Sequence, residues 1–174
     1  NTTVMELAIP IRLASLQVAN IDVAALQFND AVLDGRIAQD ELEITIASPK
    51  LNGTITLKGD DPLQLLFSDV VLPAGSGEGD PLDTSVIANL PRADVVVEHF
   101  AVGEADYGRW AFKLIPEPAG VRLAELTARV REVDIVAPDG LFWRADNNRS
   151  YFEGTMSTGN LEEVLPLWGY APSV

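Results

Sequence analysis

Alternation of apolar and polar residues in short stretches, separated by Gly, Pro, Asn and Asp, is the feature that most constrains the fold of this chain. From Glu41 to Ala47, for example, the apolar residues Leu42, Ile44 and Ile46 alternate with polar ones. A period of two places alternate side chains on opposite faces of a β-strand. Because such stretches recur from residue 4 to residue 156, we expect a mainly β protein.

Turn-forming residues divide this pattern into strands. The pairs that predict turns are Asn29-Asp30, Asp34-Gly35, Asn52-Gly53 and Asn147-Asn148, together with the break at Gly59-Asp60-Asp61-Pro62. Asn52-Gly53 is the strongest hairpin signal among them. The apolar spacing also slips between Leu123 and Leu126, which predicts a β-bulge or a turn.

One short segment near the end has helical rather than strand spacing. Asn160 is a suitable N-cap, and the apolar residues Leu161, Val164, Leu165 and Trp168 then share one helix face. Pro166 removes one backbone hydrogen bond. We therefore expect a short C-terminal helix.

The composition of the middle of the chain suggests its organisation. Residues 73–88 are rich in Gly, Pro and acidic residues and predict a loop between two β-strand repeat units, 1–72 and 89–174. A faint internal repeat supports two units, since Ile21-Asp22-Val23 and Asp34-Gly35-Arg36-Ile37 correspond to Ala93-Asp94-Val95 and Tyr107-Gly108-Arg109-Trp110.

Charge and residue content exclude several classes of function. The chain has 174 residues and a formal net charge of −14, which argues against nucleic-acid binding and against flat adsorption on anionic headgroups. It has no cysteine, which excludes disulfides and thiolate metal sites. It begins at Asn1 and has no apolar run long enough to cross a bilayer, which predicts a processed or excised segment whose membrane anchor lies elsewhere in the parent protein.

No motif for catalysis accompanies this pattern. His99 is the only histidine, and no nucleophile-elbow motif supplies a serine for it. Acidic residues near the loop, at positions 60, 61, 78, 80 and 83, do not have EF-hand spacing and are expected to be solvated. We expect no enzyme activity, no cofactor and no metal.

The alternating apolar faces have two interpretations. They form the core of a closed β-sandwich, a binding or scaffolding module for carbohydrate or protein, or they line a curved sheet that is open on one side. Both arrangements give the same alternation.

An ordered series of short motifs fills residues 90–174. The series is Leu90-Pro91-Arg92-Ala93-Asp94, Phe100, Gly108-Arg109-Trp110, Leu114-Ile115-Pro116, Val121-Arg122-Leu123, Gly140-Leu141-Phe142-Trp143, the segment 152–158, the segment 161–165 and the segment 168–173. In this order the motifs resemble the repeats of the YhdP family, relatives of AsmA and TamB in the periplasm of Gram-negative bacteria. Residues 1–88 resemble the family only in style.

The resemblance implies a curved antiparallel sheet that forms an open groove, in a periplasmic protein anchored in the inner membrane through another segment. It implies movement of phospholipids between inner and outer membranes, with acyl chains in the groove and neighbouring repeats extending it. The expected groove residues are Trp110, Phe112, Leu114, Leu123, Trp143 and Phe152. Open sheet edges would also favour self-association.

Overall fold

A single open β-sheet of 13 strands makes up the described part of the chain. The computed structural model describes residues 11–23, 26–74 and 90–160, together with residues 162, 164 and 166. The strands are β1 (Ile11–Val23), β2 (Leu26–Ala38), β3 (Glu41–Ala47), β4 (Leu51–Lys58), β5 (Leu63–Leu72), β6 (Ala93–Val102), β7 (Ala105–Asp106), β8 (Arg109–Glu117), β9 (Gly120–Val130), β10 (Val133–Ala137), β11 (Leu141–Arg144), β12 (Arg149–Phe152) and β13 (Thr155–Ser157). The predictions of a mainly β protein and of an open, curved sheet are confirmed.

The main path through the sheet follows the chain with few exceptions. Its order is β1-β2-β3-β4-β5-β6-β8-β9-β10-β13, with β7 beside β6 and the β11–β12 hairpin beside the start of β9. Every pair on this path is antiparallel except β5 and β6, which run parallel on either side of residues 73–92. The sheet does not close on itself, and no second sheet faces it among the described residues, so a closed β-sandwich does not describe this fold.

The strand β9 changes partner halfway along its length. Its first residues, Gly120 to Leu123, pair with β11, and its last residues, Leu126 to Val130, pair with β10. A β-bulge lies between the two halves, with Glu125 at a φ of 50°. The slip in spacing between Leu123 and Leu126 is therefore a bulge, one of the two alternatives that the sequence predicted.

Several predicted turns are in different places in the structure. Asn147-Asn148 lies in the turn between β11 and β12, and residues 59–62 connect β4 to β5, as expected. Asp34-Gly35 and Asn29-Asp30, in contrast, lie within β2, which continues to Ala38. Those two predictions were wrong because Gly and Asn report local backbone freedom, whereas strand ends here are set by pairing with the neighbouring strands.

Asn52-Gly53 is also part of a strand rather than a turn. The hairpin between β3 and β4 turns at residues 48–50, where the Ser48 Oγ accepts hydrogen bonds from the backbone N–H groups of Lys50 at 3.3 Å and Leu51 at 2.9 Å. The glycine has another use. A Cβ at Gly53 would come within 2.5 Å of the Phe67 ring, so the missing side chain makes room for that ring.

Two predicted segments lie largely outside the described residues. Of the predicted C-terminal helix, only Glu162, Val164 and Pro166 are described, and these have helical conformation without establishing a helix. Most of the predicted 73–88 loop is not described, and the division into two repeat units stays a prediction. Among the described residues, no helix has both the length and the apolar character needed to span a membrane.

Candidate functional site: a continuous apolar face

Three rows of apolar side chains cross the sheet on one face, called here the apolar face. Cross-strand register aligns each row, because directly paired residues point to the same side. The first row is Leu33, Ile46, Phe67, Val97, Trp110, Ala128, Ile135 and Met156. The second is Ile44, Ile55, Leu65, Val95 and Phe112. The third is Leu63, Ala93, Leu114, Leu123, Leu141 and Phe152.

The packing of these rows is continuous from β2 to β10. Buried residues form three clusters, centred on Ile46, on Val95 and on Ile135. Phe67 contacts both the first and the second cluster, and Trp110 contacts both the second and the third. These shared aromatic rings join the clusters into one surface.

Burial is concentrated on this face. Ile46 and Val95 are 6% and 7% exposed, whereas Leu66, one position from the apolar row on β5, points the other way and is 52% exposed.

All six residues expected to line a groove lie on the apolar face. Trp110, Phe112, Leu114 and Leu123 are half-buried in its centre. Trp143, which pairs with Val121, and Phe152, which pairs with Leu141, lie near its margin on the β11–β12 hairpin. This placement does not test contact with a lipid, which stays a prediction.

The polar atoms of the two tryptophans on this face are satisfied locally. The indole Nε1 of Trp110 donates to the carbonyl oxygen of Tyr107 at 2.8 Å, and that of Trp143 donates to Asn148 Oδ1 at 2.9 Å. The Trp110 ring also meets Phe100 edge to face, with ring centroids 6.3 Å apart. The rings can therefore serve as apolar surface without an unpaired donor.

The sequence-based selection of site residues covers only part of the apolar face. It drew only on strands after residue 105, where aromatic residues are dense, but the same face continues through Ile44, Ile46, Ile55 and Phe67 in the first half of the chain. The alternation in β3 and β4 already contained this signal. Pairing between the two halves, through β5 and β6, could not be read from it.

The opposite face of the sheet, called here the polar face, has the charged residues. Ion pairs join Arg109 to Glu98 at 3.0 Å and Lys113 to Glu125 at 2.6 Å. The hydrogen bond from Lys113 to Glu125 raises the pKa of the lysine above its ordinary value. These groups are exposed, so each pair stabilises the fold only weakly. Their main effect is to keep this face in water.

Part of the apolar face is covered by the chain itself. Val164 is buried against Ala128, Val130, Val133 and Ile135, at the end of β9 and β10. The remaining rows of this face have no second layer over them among the described residues.

Of the groups considered for other chemistry, His99 is within the described residues, whereas the acidic positions 78, 80 and 83 lie outside them. The His99 Nδ1 lies 3.2 Å from the carbonyl oxygen of Ser68 and 3.7 Å from Asp69 Oδ1. The Ser68 hydroxyl donates to Asp69 and not to the histidine. Within the described ranges, no group of three or more His, Cys, Asp or Glu residues could hold a metal ion.

Comparison with known proteins gives one family. The model of the YhdP protein family matches residues 1–174, the whole chain, including the first half where the sequence motifs are faint. Searches of curated proteins and of solved structures give no significant match. An open sheet with one continuous apolar face and a full-length match to the family model lead to the same assignment: this chain belongs to the YhdP family of AsmA-like cell-envelope proteins.

Proposed function

We propose that this chain is a segment of a periplasmic, bridge-like protein that moves phospholipids between the inner and outer membranes along its apolar face. The observation that supports the proposal is the continuity of this face across the sheet, from Leu33 on β2 to Ile135 on β10. A protein that only needed a core would enclose these rows between two layers.

The energetics of a lipid on this surface favour transfer without a large barrier. Each methylene removed from water contributes about 0.8 kcal/mol, so acyl chains gain from contact with the apolar rows. A headgroup without partners is costly to bury and stays in water at the open side. Because the rows continue from strand to strand, a lipid that moves across one strand exchanges one set of apolar contacts for another.

The rest of the route lies in other segments of the parent protein. Strands in neighbouring repeats would extend the groove at both ends of the sheet, and a membrane anchor elsewhere would hold it at the inner membrane. The partners proposed for this chain are therefore acyl chains and adjacent repeats.

Site-specific crosslinking tests the proposal directly. A photoreactive benzophenone side chain is placed at Leu114 on the apolar face, with the same change at Leu66 on the polar face as the matched control. After irradiation in a bacterial envelope, we expect phospholipid adducts at position 114 and none at position 66, as detected by mass spectrometry. Equal labelling at both positions, or none at either, would reject a lipid path on this face.

Loss of lipid gives a second, independent measurement. The protein is purified from bacterial envelopes in mild detergent and its bound lipid is quantified by mass spectrometry. We expect Phe112→Asp to lose phospholipid and Leu66→Asp to keep it, with circular dichroism showing that both are folded. A wild-type protein that is free of lipid and ignores added phospholipid would argue against transport.

A further inference from the structure

The β11–β12 hairpin places two arginines directly opposite each other. Arg144 is the last residue of β11 and Arg149 the first of β12, and their Cα atoms are cross-strand partners. The turn between them, residues 145–148, lies at the end of the strands, where the backbone N–H of Ala145 donates to the carbonyl oxygen of Ala119 at 3.0 Å. Both cationic side chains therefore lie at one rim of the sheet.

Among the described residues, only one of these arginines has an anionic partner. Arg144 donates to Asp146 through Nε at 3.1 Å and also through Nη2. This pair raises the pKa of Arg144 and lowers the pKa of Asp146. The Arg149 side chain has no hydrogen bond or ion pair among the described residues; its backbone N–H alone is bonded, to Asn147 Oδ1 at 3.2 Å.

Like charges directly opposite each other destabilise a strand pair. The chain has a net charge of −14 and 26 acidic residues, yet the residue opposite Arg149 is an arginine and not a carboxylate that would balance its charge. The unbalanced positive charge at the hairpin tip is instead suited to an anion from outside the chain.

The other face of the same hairpin is apolar. Trp143 and Phe152 point to the apolar face, and Phe152 is 39% exposed. The Trp143 indole N–H is bonded to Asn148 in the turn, so its ring has an apolar body and a polar end at the rim. Tryptophan takes this arrangement where hydrocarbon meets water.

We propose that the tip of the β11–β12 hairpin binds the phosphate group of a phospholipid through Arg149 and Arg144, while the acyl chains lie on Trp143 and Phe152. The proposal rests on the proposed function and adds a headgroup site to it. Guanidinium groups suit this ligand because they bind phosphate oxygens in a bidentate manner. At the rim the strands end, so a molecule can contact both faces of the hairpin.

Two lipids with the same acyl chains, one with a phosphate and one without, distinguish the contribution of the phosphate to binding from that of the hydrocarbon. Dioleoylphosphatidylglycerol and dioleoylglycerol are each titrated in detergent micelles against wild type, Arg149→Gln and Arg36→Gln. Arg36, an exposed arginine on β2, is the control for the loss of one positive charge. Inorganic phosphate is added as a competitor to distinguish a lipid phosphate from a free one.

We expect Arg149→Gln to weaken the binding of phosphatidylglycerol about fivefold, the upper range for an exposed ion pair. Its binding of dioleoylglycerol should stay at the wild-type level, and Arg36→Gln should behave as wild type with both lipids. Millimolar inorganic phosphate should not displace the phospholipid.

Three results would overturn the headgroup site. They are equal loss in Arg149→Gln and Arg36→Gln, no preference of wild type for the phosphate-bearing lipid, and displacement by free phosphate, which would mean an anion site unrelated to the apolar face. Failure of the proposed function looks different, because then neither lipid binds any variant, and the headgroup site is rejected with it.

Discussion

Glu125 on β9 donates its backbone N–H to the carbonyl oxygen of Pro138 at 2.9 Å, and this bond crosses the point where β9 changes partner. Pro138 follows β10, and Gly140, at a φ of 78°, precedes β11. Glu153 and Gly154 separate β12 from β13, which pair with β11 and β10 on either side of the same point. These irregularities form a line across three strands, and since bulges bend the strands that contain them, we expect the sheet to bend along this line.

Gly140→Ala should therefore destabilise the protein much more than Gly59→Ala. Both glycines have positive φ, so both variants place an alanine in the left-handed region, at a cost of about 1–2 kcal/mol. A Cβ at Gly140 would also lie 1.7 Å from the carbonyl oxygen of Leu123, whereas at Gly59 nothing lies within 4 Å. We expect at least about 2 kcal/mol of additional destabilisation at Gly140, measured by urea unfolding. Equal effects would mean that the sheet moves freely at this line.

Truncation of a leucine to alanine should cost much more stability on the apolar face than on the polar face. Leu126 is 2% exposed beside the bulge, and Leu126→Ala should lower the free energy of unfolding by about 2–5 kcal/mol. Leu66→Ala, the same change on the polar face, should stay within about 1 kcal/mol of wild type. The measurement is again urea unfolding, with one common slope of unfolding free energy against urea concentration for wild type and both variants. A large effect at Leu66 would contradict the assignment of faces.

The sequence could predict which residues share a face but not where all the turns are. Leu42, Ile44 and Ile46 lie on one face as their spacing indicates, and the slip before Leu126 is a real bulge. The faces were predictable because a period of two is a property of the strand itself.

Turn positions depended on contacts that no local pattern contains. The hairpin after β3 turns at Ser48, whose hydroxyl bonds the backbone of Leu51, and so Asn52 and Gly53 can continue into β4. Gly53 is needed because the Phe67 ring lies against it. The parallel pairing of β5 with β6 could likewise not be predicted from the sequence, because residues 73–92 separate the two strands.

The pKa of Asp146 should be below that of an ordinary aspartate. Its hydrogen bond with Arg144 has the largest effect and favours the ionised form; desolvation opposes it, and the positive charge of Arg144 lowers the pKa further. The pair therefore stabilises the hairpin above the ordinary aspartate pKa, and this stabilisation is lost as the pH falls through the lowered value. A carboxyl-carbon NMR titration should show the low value in wild type and a return toward the ordinary value in Arg144→Gln. Identical titration curves would mean that the pair does not persist in solution.

Self-association through the edge of the sheet is expected at β13. This strand is the end of the main path, and Met156 on it is 60% exposed. An exposed edge with apolar side chains favours pairing with another chain, and a charge at the edge opposes it. Met156→Lys should therefore reduce the concentration-dependent association seen by sedimentation velocity. Leu57→Lys, at an exposed apolar residue on the interior strand β4, should leave association at the wild-type level. If both variants reduce association equally, the chains meet through the apolar face and not through the edge.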